Sequence, residues 1–355
     1  MPDALQHDQP QPVLSERKQL ILKAIVESYI GSATPVGSGQ VVREYVTDVS
    51  SATVRNEMVG LAEAGLLFQP HTSSGRIPSE GGFRYFVRQL MEERTLTRAE
   101  QSSIRRQLFA VQLAREEWLG VAATLMARVA RAAGIISAPL AVQCRVKHVE
   151  LLAIQEGLGL LVLVLQEGTV KQQLVELPVD TSQTDLSAAS SRLNQRIHGL
   201  TRSELEAQSD PMSDLEAFVA SRLASLMGQI DEHLRKEFHH TGLVELLELP
   251  EFQQPEQARR VVRLLEHPEE LFGLLETLPW SQGMHILIGA RGPRMAILQD
   301  LGLVVSYYGT EGVAGGFVGV LGPMRLPYSE VVPVVRHVSQ VMTELLGDLF
   351  SPADT

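Results

Sequence analysis

Residues 49–78, which read VSSATVRNEMVGLAEAGLLFQPHTSSGRIP, contain a helix signal followed directly by a hairpin signal. Ser50 is a good helix N-cap because its hydroxyl can accept a backbone N–H, and Gly65 supplies the left-handed residue at which a helix stops. Apolar residues recur between them at helical spacing, namely Val54, Met58, Leu61 and Ala62. Two short extended segments, 66–68 and 76–78, then flank a turn-forming run. The stretch predicts an amphipathic helix and a β-hairpin.

The polar side of this predicted helix has the composition of a surface that enters a DNA groove. It carries small or amide side chains together with one guanidinium on the flank, namely Ser51, Ala52, Thr53, Asn56, Gly60 and Arg55. Short side chains permit close approach to the major groove, and Asn and Arg can pair bidentately with adenine and guanine edges. An ordinary helix and hairpin with a solvated face explains the isolated motif about equally well.

The hairpin adds a second set of candidate contacts. Arg76 would lie on the hairpin, from which a guanidinium can reach a phosphate or a narrow minor groove. His71 and Thr72 offer further polar contacts beside it. The hairpin therefore has the character of a DNA-binding wing.

The flanking sequence supports this interpretation. Ser15 precedes one helical stripe and Ser38 precedes a second, shorter one, so the predicted order is helix, helix, recognition helix and wing. This order is that of a winged helix-turn-helix. Farther on, Phe83 begins another apolar stripe, with Arg84 and Arg88 on the opposite side of the same helix. These two arginines are weaker phosphate candidates, because a solvated charged face is as good an explanation.

The chain resembles the bacterial heat-inducible transcription repressors of the HrcA family. The resemblance is carried by three N-terminal runs, 50–58, 69–78 and 82–87, and it continues at 249–252, 288–289 and 322–323. It implies a homodimer that binds an inverted-repeat operator in double-stranded DNA upstream of chaperone genes. It also implies that the chaperonin GroEL keeps the repressor active, and that heating releases the operon when unfolded proteins occupy the chaperonin.

Composition limits the class of protein. The 355 residues are 44% hydrophobic and carry a formal net charge of −11, which argues against a protein that coats nucleic acid without specificity. Residues 1–95 contain nine Lys or Arg and eleven Asp or Glu, so local placement and dimer symmetry must supply the positive charge. The single cysteine, the N-terminus without a signal sequence and the lack of a long apolar run predict a cytoplasmic protein that does not enter the membrane.

The pattern along the chain predicts an α+β multidomain protein. After a disordered N-terminus at 1–13, we expect the winged helix-turn-helix at 14–95 and a helical linker at 96–139. The linker helices have a short apolar seam, which fits a dimer helix pair or a helix packed on its own domain. Residues 140–202 and 283–350 would form one α+β domain, GAF-like by the resemblance, and 203–282 a helical dimerisation insertion.

The sequence shows no convincing catalytic set, cofactor-binding loop or metal site, so we expect no enzyme and no cofactor. His233, Glu237 and His240 share one face of a predicted helix, where a polar surface is favoured over a metal site. Arg291, Arg294 and Arg325 could line an anion pocket, but ion pairs are favoured. A repressor controlled by a small effector in the GAF-like domain remains the main alternative function, and an enzyme with an accessory winged helix is a poorer one.

Overall fold

The computed structural model describes residues 12–45, 49–71, 74–110, 115–141, 144–166, 168–177, 181–208, 211–234, 238–275, 277–279, 283–289, 293–310 and 314–350. Of the predicted disordered N-terminus, residues 1–11 lie outside these ranges. The described residues form an α+β structure, as predicted, with three β-sheets. They divide into two compact units, one from the described residues of 1–137, 238–308 and 316–345, the other from those of 138–237, 309–315 and 346–355.

The first unit begins with three helices and a hairpin, here called the N-terminal module (residues 14–95). The elements are α1 (Glu16–Ser32), α2 (Ser38–Glu44), α3 (Ser51–Glu63), the antiparallel strands β1 (Leu67–Phe68) and β2 (Ile77–Pro78), and α4 (Glu80–Tyr85), which continues into a π-helical turn at Phe86–Leu90. Ser15 and Ser50 cap α1 and α3 with their hydroxyls. Gly65 has a φ of 73°. The predicted caps Ser15 and Ser50 and the predicted stop of α3 are confirmed. Ser38, which was predicted to precede α2, is instead its first residue, because Gly37 occupies the N-cap position.

Two helices, α5 (Arg98–Phe109) and α6 (Arg115–Ala130), follow the module. The apolar seam predicted across them is buried, with Leu108, Trp118 and Ala122 all at most 1% exposed. Helix α6 packs on the neighbouring strand β3 (Ala133–Ser137). A Cβ at Gly134 would lie 2.0 Å from the Ala123 carbonyl oxygen, so glycine permits the close approach. Of the two explanations of this seam, the structure supports a helix packed on its own domain.

The main sheet has the strand order β8-β3-β11-β10-β9. Its remaining strands are β8 (Phe238–Thr241), β9 (Met284–Ile288), β10 (Leu301–Thr310) and β11 (Ala314–Pro323). Within the second unit, β4 (Leu140–Ala141) pairs with Ala314 and Gly315 at the start of β11. Antiparallel pairs join β8 to β3, β3 to β11 and β9 to β10. The long helix α13 (Tyr328–Phe350) is bound to this sheet by a hydrogen bond from Ser306 Oγ to Ser339 Oγ, 3.0 Å long. Three short helices lie between β8 and β9, namely α10 (Leu243–Leu247), α11 (Pro255–Glu266) and α12 (Glu269–Leu275).

The second unit contains a three-stranded antiparallel sheet in the order β5-β6-β7, covered on one face by helices. Its elements are β5 (Val146–Gln155), β6 (Leu158–Leu165), β7 (Val170–Glu176), α7 (Gln183–Ile197), α8 (Arg202–Glu206) and α9 (Asp214–Leu234). The Asn194 side chain on α7 accepts from Val149 N and donates to Val149 O, both at 2.8 Å. Consecutive hairpins were predicted here from the glycine turns, and Gly157 and Gly168 indeed have positive φ.

The predicted domain boundaries differ from this division. The sequence predicts a helical linker where β3 lies and a helical insertion where β8 lies, but the two strands pair with each other, Gly134 opposite Thr241. The inserted segment is therefore the chain between β3 and β8, which forms most of the second unit. It includes the hairpins that we had placed in the same domain as residues 283–350. Both strands are short and lie beside helical patterns, so their non-local pairing left no signal in the sequence.

Candidate nucleic-acid interface

Helix α3 is held on its inner side by an apolar stripe and at its start by hydroxyl groups. Val54, Met58 and Leu61 are at most 3% exposed. Ser50 Oγ accepts the Thr53 backbone N–H at 3.1 Å and lies 2.9 Å from Thr53 Oγ1. Ser51 Oγ lies 3.0 Å from Ser38 Oγ, which joins the first turn of α3 to the first turn of α2. These contacts fix the orientation of α3 within the module.

The outer side of α3 presents a different stripe from the one predicted. Ala52, Arg55, Asn56 and Val59 are exposed, at the helical spacing i, i+3, i+4 and i+7. Thr53 is half-buried and its hydroxyl is engaged by the cap, while a Cβ at Gly60 would lie 3.0 Å from the Lys18 ammonium of α1. Val59, which is 39% exposed, therefore takes the place that we had given to Gly60. The spacing from Ala52 would have identified it.

The hairpin is joined to the turn before α2 by a third extended segment. Arg76 N donates to Val36 O and Val36 N donates to Arg76 O, both at 2.9 Å. A Cβ at Gly75 would lie 2.5 Å from the Val36 backbone, so only glycine fits at that position. The backbone of Arg76 is therefore fixed, while its half-buried side chain has no ion pair among the described residues.

The tip of the hairpin is partly described. His71 is exposed, and its backbone N–H donates to Ser74 Oγ at 3.1 Å. Ser74 Oγ donates in turn to the His71 carbonyl at 2.8 Å. Thr72, the other contact predicted at the tip, lies outside the described residues. The described part of the tip therefore uses the His71 backbone for its turn and leaves the residue exposed.

Arg84 does not belong to this surface. Its side chain is only 13% exposed, and Nη1 donates to the Ile288 carbonyl at the end of β9 at 2.7 Å. The same nitrogen is 3.3 Å from Glu80 Oε2. Tyr85, the next residue of α4, is 4% exposed. The prediction of Arg84 as a phosphate contact is therefore wrong in this arrangement, because α4 is packed on both sides, and half-buried Arg88 stays a prediction.

A second guanidinium binds the module to the rest of the first unit. Arg325 forms a bidentate ion pair with Glu251, in which Nη2 is 3.0 Å from Oε2, and Nη1 donates to the Ile30 carbonyl in the last turn of α1 at 3.2 Å. Nearby, Arg336 pairs with Glu93, and this hydrogen bond holds the pKa of the Glu93 carboxyl below its usual range. Arg325 is thus a structural ion pair, not part of an anion pocket.

The remaining predicted ligands do not form a site in the described chain. Arg291 and the Arg294 side chain lie outside the described residues, as do Glu237 and the His233 side chain. His240 lies on β8 opposite Ile135, not on a helix, and burial lowers its pKa. No group of three or more metal-competent side chains comes together among the described residues.

The cations of the N-terminal module fall into two groups. One group has partners within the chain: Arg17 pairs with Glu57, Lys23 with Glu92, Arg84 with Glu80 and Arg94 with Glu100. Arg88, which also has a partner, belongs to the same group. Four others have no ion pair within the described part of the chain, namely Lys18, Arg43, Arg55 and Arg76. These four belong to α1, α2, α3 and the hairpin. Positive charge without an intramolecular partner is therefore concentrated on the helix-turn-helix and hairpin elements.

Similarity to known proteins extends over almost the whole chain. The family model of the HrcA protein C-terminal domain matches residues 116–332. The heat-inducible transcription repressor HrcA of Herpetosiphon aurantiacus is 39% identical over 344 residues, which cover 95% of this chain and 96% of that protein. The corresponding repressor of Roseiflexus castenholzii is 38% identical over 345 residues, again 95% and 96%.

A crystal structure of a hypothetical protein shows the same fold. Its TM-score is 0.57 at 21% sequence identity, and the match covers 95% of this chain and 98% of that chain. The two relatives above are named as transcription repressors, not as enzymes. Since the family model covers more than half of the chain and the relatives nearly all of it, the chain belongs to the HrcA family.

Proposed function

We propose that the chain is a heat-inducible transcription repressor that binds double-stranded DNA through a winged helix-turn-helix formed by α1–α3 and the β1–β2 hairpin. The observation that carries this proposal is the exposed stripe of α3, which lies among cations that have no partner in the described chain. Its relatives bear the name of heat-inducible transcription repressors. We further propose that the main sheet, with α6 and α13, is the GAF-like domain.

The proposed base contacts are made by the outer side of α3. Arg55 and Asn56 are exposed and have the bidentate geometry that distinguishes guanine and adenine in the major groove. Ala52 permits close approach of the helix start, and Ser51 lies at the first turn, where recognition helices touch base edges. Thr53 is assigned to the cap and not to a base contact. This proposed set omits Thr53 and Gly60, which belong to the predicted one.

The proposed backbone and minor-groove contacts come from the hairpin. The main chain of Arg76 is fixed by its bridge to Val36, so the guanidinium extends from a defined point. Such a group can enter a narrow minor groove or bind a phosphate. His71 is exposed at the same hairpin and, with the neighbouring Thr72, completes the proposed contacts. The hairpin contributes mainly affinity and the helix mainly specificity.

We propose a homodimer that associates through the open face of the three-stranded sheet, not through residues 203–282 as a whole. Helices cover one face of this sheet, while apolar side chains remain on the other. Leu152 pairs with Leu160 and Leu160 with Leu174, so one leucine row crosses all three strands. Leu174 is 60% exposed. Contiguous exposed apolar surface marks an interaction site, and an inverted repeat requires a two-fold symmetric protein.

Leu174→Lys is the test of this dimer surface. A charge buried in the interface should raise the dimer dissociation constant roughly 30-fold or more, since burying an unpaired charge costs about 2 kcal/mol or more. Sedimentation velocity measures it. Lys171→Glu, on the same strand but on its other side, is the matched control. A wild-type dimer in Leu174→Lys would contradict the proposed interface.

Heat release is proposed on the strength of family membership. The chaperonin GroEL would keep the repressor folded in the cytoplasm, and unfolded proteins would compete for it on heating. A folded dimer near its stability threshold is the physical requirement, because one or two kcal/mol then changes the active fraction severalfold.

None of the helices in the described ranges is long and apolar enough to cross a membrane.

The experiment that tests the proposed function is a binding selection from random duplex DNA with the full chain, before and after brief heating. We expect an enriched inverted repeat, because the α3 of each subunit in a dimer would bind one half-site. Binding should be lost after heating and recovered when GroEL and ATP are added. Failure to enrich any sequence would contradict the proposal, and enrichment of a single half-site without symmetry would contradict the dimer.

A further inference from the structure

The N-terminal module and the rest of the first unit line a partly open cavity of about 200 Å³. The module contributes side chains from α1, both strands of the hairpin and α4, and the opposite wall comes from residues 251–261, 299–301 and 324–325. The main alternative function from the sequence is a repressor controlled by a small effector in the GAF-like domain. This cavity lies at the boundary between that domain and the proposed DNA-binding module, so an occupant would touch both.

The walls of the cavity are mostly apolar and aromatic. Tyr29, Phe68 and Phe83 line it on the module side, and Phe252, Leu301 and Met324 line it on the other. The Tyr29 and Phe83 ring centroids are 6.2 Å apart. Phe68 is 47% exposed, so this wall is partly open to solvent. Ligand sites typically combine such walls with a few polar groups.

The size of the cavity limits the occupant. An engineered apolar cavity of about 150 Å³ accepts benzene, so a space of about 200 Å³ accepts one ring or a branched aliphatic group of similar bulk. The pocket is open to solvent on one side, so this size applies to the part of an occupant that lies between its walls. The apolar part of the ligand is therefore the size of a phenylalanine or leucine side chain.

The polar groups around the cavity carry opposite charges. Arg325 is neutralised by Glu251. Arg260 donates to the Ala296 carbonyl through Nη2 at 2.8 Å and has no carboxylate partner among the described residues. Asp300 is exposed and likewise has no ion pair within the described ranges. One guanidinium and one carboxylate, each without a counter-charge, favour a ligand that carries both charges over one with a net charge.

We propose that this cavity binds a free α-amino acid with a large apolar side chain, whose carboxylate contacts Arg260 and whose ammonium group contacts Asp300. The apolar side chain fills the space between the Tyr29 and Phe252 walls. Because β1 and β2 form part of one wall, the bound amino acid stabilises one position of the hairpin relative to the rest of the first unit. Its binding is therefore coupled to DNA binding. This coupling, unlike the binding itself, rests on the proposed function.

The test of binding uses the melting temperature of the full chain without DNA. The probes are L-phenylalanine, 3-phenylpropanoate, which lacks the ammonium group, and 2-phenylethylamine, which lacks the carboxylate. We expect a saturable rise with L-phenylalanine that is larger than with either singly charged probe. No rise with any probe would overturn the proposal. An equal rise with all three would also overturn it, since the charged groups would then play no part.

Charge variants assign the contacts. Arg260→Gln should weaken L-phenylalanine binding roughly tenfold. The variant should then bind L-phenylalanine no more tightly than 2-phenylethylamine. Asp300→Asn should remove the higher affinity of the protein for L-phenylalanine than for 3-phenylpropanoate. Arg259→Gln, a neighbouring exposed arginine on α11 that does not line the cavity, is the matched control and should bind as the wild type does. Equal loss in Arg259→Gln and Arg260→Gln would contradict the assigned carboxylate contact.

The coupling has its own readout. Affinity for the selected duplex is measured with and without saturating L-phenylalanine, in the wild type and in Arg260→Gln. We expect a change in DNA affinity in the wild type that is absent from the variant. If the melting temperature responds and DNA affinity does not, the coupling is overturned while the site stands. If no duplex is selected at all, the proposed function fails and the melting experiment still decides the site.

Discussion

The outer and inner surfaces of the N-terminal module use the same residue types for different purposes. On the outer surface, Arg55 and Arg76 have no ion pair among the described residues. On the inner surface, Arg84 and, from the other side of the junction, Arg325 bind carboxylates and backbone carbonyls of the chain itself. Net charge, which is slightly negative for residues 1–95, does not reveal this difference. What matters for DNA binding is which cations have already been neutralised within the chain.

Arg325→Ala should have the largest effect on stability. Its side chain is 13% exposed, and removal leaves the partly buried Glu251 carboxylate and the Ile30 carbonyl without their partner. Breaking a buried ion pair in this way costs about 3–5 kcal/mol of unfolding free energy. Denaturant unfolding measures the change. Arg263→Ala is the control, since its contact with Glu270 is 3.7 Å long and largely exposed, and it should cost less than about 1 kcal/mol.

Arg84→Ala comes next. Loss of a hydrogen bond from a charged donor to the Ile288 carbonyl should cost about 1.5–3 kcal/mol of unfolding free energy. The specificity of the folded fraction for the selected duplex should remain that of the wild type. If the variant keeps full stability and instead loses DNA affinity, Arg84 belongs to the outer surface and the comparison made above is wrong.

Asn56→Ala should act on binding alone. The side chain is exposed, so the unfolding free energy should change by less than about 0.5 kcal/mol. Operator binding should weaken by about 1–3 kcal/mol, and the preference at one base pair of each half-site should relax. Competition with single-base variants of the selected duplex measures both. An unchanged preference at every base pair would remove Asn56 from the proposed contacts.

The sequence predicted those elements whose signals are local. Ser50 and Gly65 delimit α3, and the alternation between glycine turns gives β5, β6 and β7. The inner contacts had no such signal, because the Arg84 and Ile288 positions are 204 residues apart in the chain, and those of Ile30 and Arg325 are 295 apart. The outward-facing residues of α3 were predicted only in part, for a similar reason. The Lys18 ammonium of α1 lies 3.0 Å from a Cβ built at Gly60, and the sequence gives no sign that this part of α3 faces α1.

The division of the later chain was misjudged because strand pairing is decided by tertiary packing. Residues 133–137 and 238–241 are short segments next to helices, and each becomes a strand only by pairing with the other. Without that pair, the hairpins at 146–176 had no reason to be separated from the strands after 283. The open leucine row on those hairpins, by contrast, follows from the period-two pattern once the covered face is known.

The central claim is that the outer cations of the N-terminal module bind DNA and the inner ones do not. The most direct test is the salt dependence of binding to the selected duplex for Arg76→Ala and Arg84→Ala, measured at a temperature where both remain folded. For Arg76→Ala, we predict that the slope of log K against log salt concentration falls by about 1 per subunit, as expected for one lost phosphate contact. For Arg84→Ala we predict the wild-type slope. A wild-type slope in Arg76→Ala with a reduced slope in Arg84→Ala would contradict the account.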